Sequence, residues 1–349
     1  MLPGVCLIFF KVIKMKIRSI FFIFLLTIAN LSLLYSQTNM KGEKESVDTS
    51  KQYTKYIVRP KYPINLAFHY MYTDNTKFEQ ILSDSTIRQF ERNIIYYFTL
   101  YSPGNIKDGF TTLRVSIDSL EYTYKSGIDS IYYNSQSDSL LPPFNIKDFD
   151  ISSVILGKNF DFIYSPYWDI GKIEESGEGN VIEKRRFIND PVMGIDDPYR
   201  KYLWNFQLSD ENLGYTVDLL KGIIPIHSID TNMVRIVPIR FAVENLSFLA
   251  DSAKVKLITA NSNKYVLRAD FNHFVPLKKE VVIPEFLTFV NFEGITGDGS
   301  YILTLTPQGR VDSGKLKLKL NLQFRDRKEI INEKIEKHSI WQLLDNYKI

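Results

Sequence analysis

The sequence predicts a mainly β chain with a few helices, built on large antiparallel sheets. Three observations lead there. Aromatic residues make up 14% of the 349 residues, with 21 Tyr and 24 Phe, and bulky rings fit the pleated, half-buried surface of a strand. Apolar and polar residues alternate through both halves of the chain, most cleanly in KLKLKLNLQF (315–324), where Leu316, Leu318, Leu320, Leu322 and Phe324 oppose Lys315, Lys317, Lys319, Asn321 and Gln323. Gly, Asn and Pro clusters punctuate these runs at Ser102-Pro103-Gly104-Asn105, Asn261-Ser262-Asn263, Gly297-Asp298-Gly299 and Pro307-Gln308-Gly309, which is turn chemistry.

The N-terminus sets the expected compartment. From Met15, Lys16 and Arg18 precede an apolar run over 20–34 and a polar exit at Tyr35-Ser36-Gln37, the layout of a cleavable signal peptide, so residues 1–37 are expected to direct export. Cys6 precedes that run instead of following it, which argues against a lipoprotein signal; it is also the only cysteine, so neither disulfides nor thiolate metal sites are expected. The polar stretch 38–55 reads as a disordered spacer. A formal net charge of +3 implies no nucleic-acid partner, and no membrane span is expected once the signal is removed.

Strand candidates begin with INLAFHYMY (64–72), followed by TKFEQILSD and then by NIIYYFTLYSP and GFTTLRVSIDSLEYTY, which flank a short turn and pair most economically as an antiparallel hairpin. IDSIYYN continues the strand character, Pro142-Pro143 breaks it, and FNIKDFDISSVILGKNF is ambiguous, with Gly157 ending whatever forms. FDFIYSPYW and DIGKIEES resume it. The expected organisation is an antiparallel β half over 56–185, a helical connection over 190–229 and a second antiparallel β half over 230–349. In the connection Ser209 is the expected N-cap, and Leu213, Val217 and Leu220 recur at helical spacing until Gly222 and Pro225. The tail EIINEKIEKHSIWQLLDNYK fits helix or strand, and strand is preferred as partner of 315–324 across 325–328. A Gly-bounded echo, Gly171 to Gly177 and Gly309 to Gly314, suits either duplication or two hairpins with like turns.

The run VILGKNFDFIYSPYWDIGKIEESG (154–177) resembles a junction in an uncharacterised family of secreted bacterial proteins, a domain of unknown function. The similarity covers about residues 64–176, more weakly 233–344, at the level of pattern. It implies the half-barrel of lipoprotein carriers, in which a curved antiparallel sheet wraps around central helices on its concave side and shelters an apolar groove. It brings no catalytic residues.

Candidate chemistry is sparse. His69, His227, His273 and His338 lack partners at zinc-site spacing, and no phosphate loop, HExxH or GxSxG occurs. Asp190, Asp196 and Asp197 could offer oxygens to calcium but suit turns better. Glu174, Glu175 and Glu178 suit a solvated turn as well as a carboxylate pair. The aromatic cluster Tyr199, Tyr202, Trp204 and Phe206 is the candidate ligand groove, weighed against helical packing under a sheet. The expected function is therefore a non-catalytic periplasmic, outer-envelope or extracellular protein that binds a lipid, lipoprotein acyl chain or other hydrophobic ligand, with no metal or cofactor. A structural or adhesive surface protein is the alternative, and an uncharacterised hydrolase the third.

Overall fold

The structure, a computed structural model, describes residues 54–104, 109–137, 147–168, 173–174, 180–243, 245–283, 288–327 and 329–348. The expected signal peptide and nearly all of the expected spacer lie outside these residues, as do Pro142-Pro143 and most of the echo at 171–177.

The chain is mainly β with few helices. Its strands are β1 (Leu66–Ile81), β2 (Ile87–Tyr101), β3 (Thr111–Ser126), β4 (Asp129–Asn134), β5 (Asn159–Tyr164), β6 (Ile173–Glu174), β7 (Val234–Val243), β8 (Leu246–Ala260), β9 (Tyr265–Phe271), β10 (Val275–Pro276), β11 (Glu280–Ile283), β12 (Thr288–Leu305), β13 (Val311–Asp326) and β14 (Glu329–Lys348). The helices are α1 (Lys147–Ser153), α2 (Val181–Asn189), α3 (Pro198–Gln207) and α4 (Asp210–Val217). All strands join one antiparallel sheet of 14, whose main path runs β10-β8-β9-β12-β13-β14-β1-β2-β3-β5-β6. It is open.

The predicted hairpin of β2 and β3 forms, and the tail is strand β14, paired with β13 from Asp326↔Glu329 onward. The last strand then pairs with the first, Leu66↔Lys348 through Ile81↔Asn332, and this ladder joins the two halves at mid-sheet. Inward residues alternate with outward ones throughout: Leu316, Leu318, Leu320, Leu322 and Phe324 are buried while Lys315, Lys317 and Lys319 are exposed.

Curvature can be read from side chains. Tyr164 on β5 donates its hydroxyl to Asp218 Oδ1 at 2.5 Å, and Tyr301 on β12 donates to the carbonyl of the next residue, Leu219. Five strands separate β5 from β12, about 29 Å along a flat sheet at about 4.8 Å per strand. Both hydroxyls reach neighbouring residues only because the sheet bends around them. Bulges at His69/Tyr70, Tyr97/Phe98 and Phe292/Gly294 contribute, since an extra residue bends and twists its strand.

Four elements differ from the sequence reading. β1 is continuous where two strands are predicted. β12 likewise runs straight through Gly297-Asp298-Gly299, read as a turn. These glycines mark crowded positions: a Cβ on Gly297, at φ +152°, would sit 2.1 Å from the Lys319 carbonyl oxygen, and one on Gly299 would run into the Phe271 and Leu318 side chains. Gly297→Ala is expected to destabilise by more than about 1 kcal/mol, whereas Gly294→Ala, whose Cβ meets nothing within 4 Å, should be nearly silent; urea midpoints of the two variants provide the comparison. Helix α2 starts inside the predicted β half, capped by Asn180, whose side chain accepts from Glu183 N at 2.8 Å.

Finally, α4 is capped by Ser209 as predicted but stops at Val217, short of Leu220. The Asp218 carboxylate accepts from the amides of Leu220 and Lys221 at 2.8 and 3.1 Å, and Lys221 and Gly222 both adopt positive φ. That local bonding reverses the chain.

Candidate functional site

The concave face is floored by aromatic side chains from successive strands. Tyr70 stacks on Phe98 at 5.6 Å, Tyr72 lies between Tyr96 (6.3 Å) and Trp341 (4.7 Å), and Phe78 stacks on Phe90 at 4.4 Å. The cross-strand registers Tyr70↔Phe98, Tyr72↔Tyr96 and Phe78↔Phe90 place these rings opposite one another, close enough for direct ring contact.

Over the middle of this floor lies α4 with the residues that follow it. Leu213, Val217, Leu219, Leu220, Ile223 and Ile224 are buried. Long-range bonds to its backbone or side chains tie the segment down, among them Tyr164 to Asp218, Tyr301 to the Leu219 carbonyl, and Trp341 Nε1 to the Thr216 carbonyl at 2.6 Å. Each ring buries apolar area and satisfies its polar atom on the same partner.

Beside the cover, the inner face turns polar. Asp74 on β1 accepts from Lys337 Nζ on β14, from Tyr72 OH at 3.1 Å and from Thr76 Oγ1 at 2.8 Å. Asp148 on α1 accepts from an Arg92 guanidinium nitrogen at 2.6 Å and from Tyr122 OH at 2.7 Å. Both carboxylates are buried. Burial by itself pushes the Asp74 carboxyl up, but Lys337 and Arg92 outweigh it and hold Asp74 below its ordinary range. Tyr72 and Tyr122 are pushed up, by burial first and by the neighbouring carboxylates second, and stay protonated donors.

These groups border a cavity of about 60 Å³, whose lining includes Asp74, Arg92, Asp148, Lys337, Tyr215 and Phe206. It has room for a few water molecules. A lipid chain does not fit in it as it stands.

Lys221 is the buried cation of the cover. Its ammonium donates to the Tyr215 carbonyl and lies 4.3 Å from the Tyr215 ring and 4.7 Å from that of Trp341. Burial lowers its pKa to about 7; Asp218 acts to raise it and Lys337 to lower it further. Between about pH 7 and the ordinary lysine value near 10.4, the unfolded chain holds a proton that folded Lys221 has released. Stability should therefore rise with pH across that window, and the cost of burying the charge is complete below it. Lys221→Met should flatten this limb in urea titrations between about pH 7 and 9.

Helix α1 fixes the polar cluster by facing two ways. Asp148 and Phe149 turn to the sheet, where Phe149 meets Tyr122 and Tyr133 edge-on at 5.1 and 5.0 Å, and Tyr96 OH donates to the Ser152 carbonyl at 2.7 Å. Asp150 turns to α3, pairing with Arg200 at 2.8 Å and accepting from Trp204 Nε1 at 3.0 Å.

The four candidate aromatics of α3 are not brought together. Tyr199 and Tyr202 both lie 5.4 Å from Phe289, and Tyr202 OH donates to the Glu280 carbonyl at 3.3 Å. Trp204 lies between Lys184 (4.7 Å) and Arg200 (4.5 Å). Phe206 alone is turned inward to the cavity. At about 100° per residue, Tyr199, Tyr202 and Phe206 fall on one side of the helix, spread along about two turns, and Trp204 points away from it.

Two of the acidic candidates bond local backbone amides. Asp190 accepts from the amides of Val192 and Met193, and Asp197 caps α3 through Tyr199 N and Arg200 N. Of the glutamates, Glu174 lies on β6 opposite Asp161, and Glu175 and Glu178 fall outside the described residues. His69 and His273 lie beside Asp345 and Asp251, at 3.8 and 2.9 Å.

The inner cluster escapes sequence reasoning because it joins β1, β2, β14 and α1 across as many as 263 positions. Its signal is nevertheless present: Asp74 and Thr76, and Glu333, Lys337 and Ser339, hold inward positions of their strands.

No family model matches the chain, and no curated protein matches it. Among solved structures, one described by lipid–protein interactions in lipovitellin is 10% identical with a TM-score of 0.40, over 82% of this chain and 26% of that one. The chain thus spans about a quarter of lipovitellin's length. An outer membrane channel from Pseudomonas putida F1 is 7% identical with a TM-score of 0.23, over 85% and 100% of the two chains. A LolA superfamily protein from Nitrosomonas europaea is 6% identical with a TM-score of 0.14, over 79% and 86%. At such scores none bears on what this chain does. Among the described residues no helix is long and apolar enough to cross a membrane.

Proposed function

We propose that this is an exported, non-catalytic envelope protein that binds a hydrophobic ligand, a lipid or a lipoprotein acyl chain, on the concave face of its sheet. The observation that carries the reading is the aromatic floor under a cover that belongs to no strand. An acyl chain replacing Leu219, Leu220, Ile223 and Ile224 would bury apolar area at about 25 cal/mol per Å² and keep the rings dry. Because the cavity beside the cover is only about 60 Å³, binding on the middle of the floor requires the cover to move. Export is inferred from the signal-like N-terminus. The non-catalytic reading is supported by the pairing of Asp74 with Lys337 and of Asp148 with Arg92, which leaves these carboxylates committed to partners.

A structural or surface-presenting role is the second reading, favoured by the filled middle of the concave face. Native mass spectrometry of protein purified from its own envelope separates the two. Lipid adducts that leave on collisional activation are expected; a clean apo mass would reject the first reading in favour of the second.

A further inference from the structure

The outer face carries two different kinds of cross-strand row. One, Asp298–Lys319–Glu336–Lys77–Glu91–Lys125, alternates acid and base across β12, β13, β14, β1, β2 and β3, with Lys319 and Glu336 3.2 Å apart. It neutralises itself.

Four residues along the strands, the row reads Val234–Lys256–Arg268–Ile302–Lys315–Ile340–Thr73–Ile95. It holds three bases, four aliphatic residues and no acid over eight strands. The row between the two adds Ile236, Lys254, Lys317 and His338, with Asp270 paired to Arg268 at 2.8 Å. Among the described residues Lys254, Lys256, Lys315 and Lys317 form no ion pair, and all four are exposed. Ile236, Val234 and Ile340 are 68%, 47% and 38% exposed. A hollow of about 380 Å³ toward the self-neutralising row is lined by Arg268, Lys317 and Lys319 together with Asp270, Asp298 and Glu336, and adds no net charge to the stripe.

We propose that this stripe on the outer face of β7, β8, β9, β12, β13, β14 and β1 docks the protein on the surface of an anionic phospholipid bilayer. Uncompensated lysines meet the headgroup charge, while the exposed isoleucines and valine between them reach the headgroup–acyl boundary, the combination that interfacial binding uses. Measured along the curved outer face, these seven strands at about 4.8 Å spacing make the stripe about 29 Å long. A soluble surface alone would not need isoleucine between its lysines. The inference goes beyond ligand binding on the concave face and uses none of its residues, so either can fail without the other.

The test is co-sedimentation of the full chain with vesicles of phosphatidylcholine, alone or with about a third phosphatidylglycerol. It compares the native protein with the combined Lys254→Ser, Lys256→Ser, Lys315→Ser and Lys317→Ser variant and with a Lys77→Ser, Lys125→Ser control. The N-terminal 53 residues are common to all three, so differences between the variants on anionic vesicles report the stripe. Native protein and control should prefer anionic vesicles, with the preference falling as salt rises. The fourfold variant, with an unchanged circular dichroism spectrum and melting point, should lose about fivefold for each lysine removed. Equal partitioning into both vesicle types, a fourfold variant that binds like the native protein, or binding to heparin but not to anionic vesicles would each overturn the proposal.

Discussion

Lys337→Met is expected to destabilise the fold by about 3–5 kcal/mol, the loss seen when one partner of a buried ion pair is removed and the other is stranded. Asp74 would keep Tyr72 and Thr76 as donors, but its nearest cation would be gone. The loss should depend on pH in a diagnostic way. In the native protein Lys337 and Arg92 hold Asp74 below its ordinary pKa, so its contribution is complete above about pH 4 and fades as pH falls through the folded value. In the variant burial dominates and raises the Asp74 pKa, so the folded state retains a proton that the unfolded state releases. The deficit should then be largest near pH 7 and shrink toward pH 4. A mere loss of packing would not vary in this way. Asp74→Asn combined with Lys337→Met should recover much of the deficit, because no unpaired charge remains. Urea midpoints of the single and double variants at both pH values are the measurement.

Trp341→Ala should cost a similar amount, about 3–5 kcal/mol, for a different reason. The indole is fully buried at mid-sheet, 4.7 Å from Tyr72 and edge-on to Tyr215 and Tyr301 at 6.1 and 6.0 Å. Removing it opens a cavity among residues held by β1, β12 and β14, which cannot collapse onto it together. Trp341→Phe separates packing from hydrogen bonding: it retains most of the volume but leaves the Thr216 carbonyl, which accepts from Trp341 Nε1, without its donor, for a loss of about 1–3 kcal/mol. Trp204→Ala is the comparison. That ring is only partly buried, and its variant should lose distinctly less. Equal losses from Trp341→Ala and Trp204→Ala would contradict the placement of Trp341 at the junction of sheet and cover.

How far the sequence reveals this fold depends on what each strand faces. Strand β13 is unmistakable because every inward position from Leu316 to Phe324 is Leu or Phe. The hairpin of β2 and β3 is legible for the same reason, through Ile94, Tyr96, Phe98 and Leu100 against Leu113, Val115 and Ile117. β1 reads as two strands, and β14 as helix or strand, because their inward positions include Asp74, Thr76, Glu333, Lys337 and Ser339. Alternation of hydrophobicity fails where a strand turns polar groups inward, and Asp74 and Glu333 find Lys337 and Gln80 across the β1–β14 ladder. The break in the pattern and the inner cluster are one feature seen at two levels. β12 fails for the opposite reason, since glycine in a crowded strand looks locally like glycine in a turn.

The candidate groove on α3 shows the same limit. Four aromatics within eight residues suggest one surface, yet Trp204 is turned by the helical period toward Asp150, and Phe206, on the same side as Tyr199 and Tyr202 but about two turns along, meets the cavity while they meet Phe289. The aromatic floor is instead dispersed through β1, β2, β3 and β14, where it looks like ordinary strand composition. Only pairing reveals it.

The claim that hydrophobic ligand enters beneath the cover is tested most directly by amide hydrogen exchange, with and without a saturating long-chain fatty acid. Loading should change exchange at residues 213–224 and at the inner ends of β1 and β14, leaving the outer lysine rows as they were. Uptake of the fatty acid with exchange over 213–224 unaltered would contradict the account, because the ligand would then lie somewhere other than on the aromatic floor.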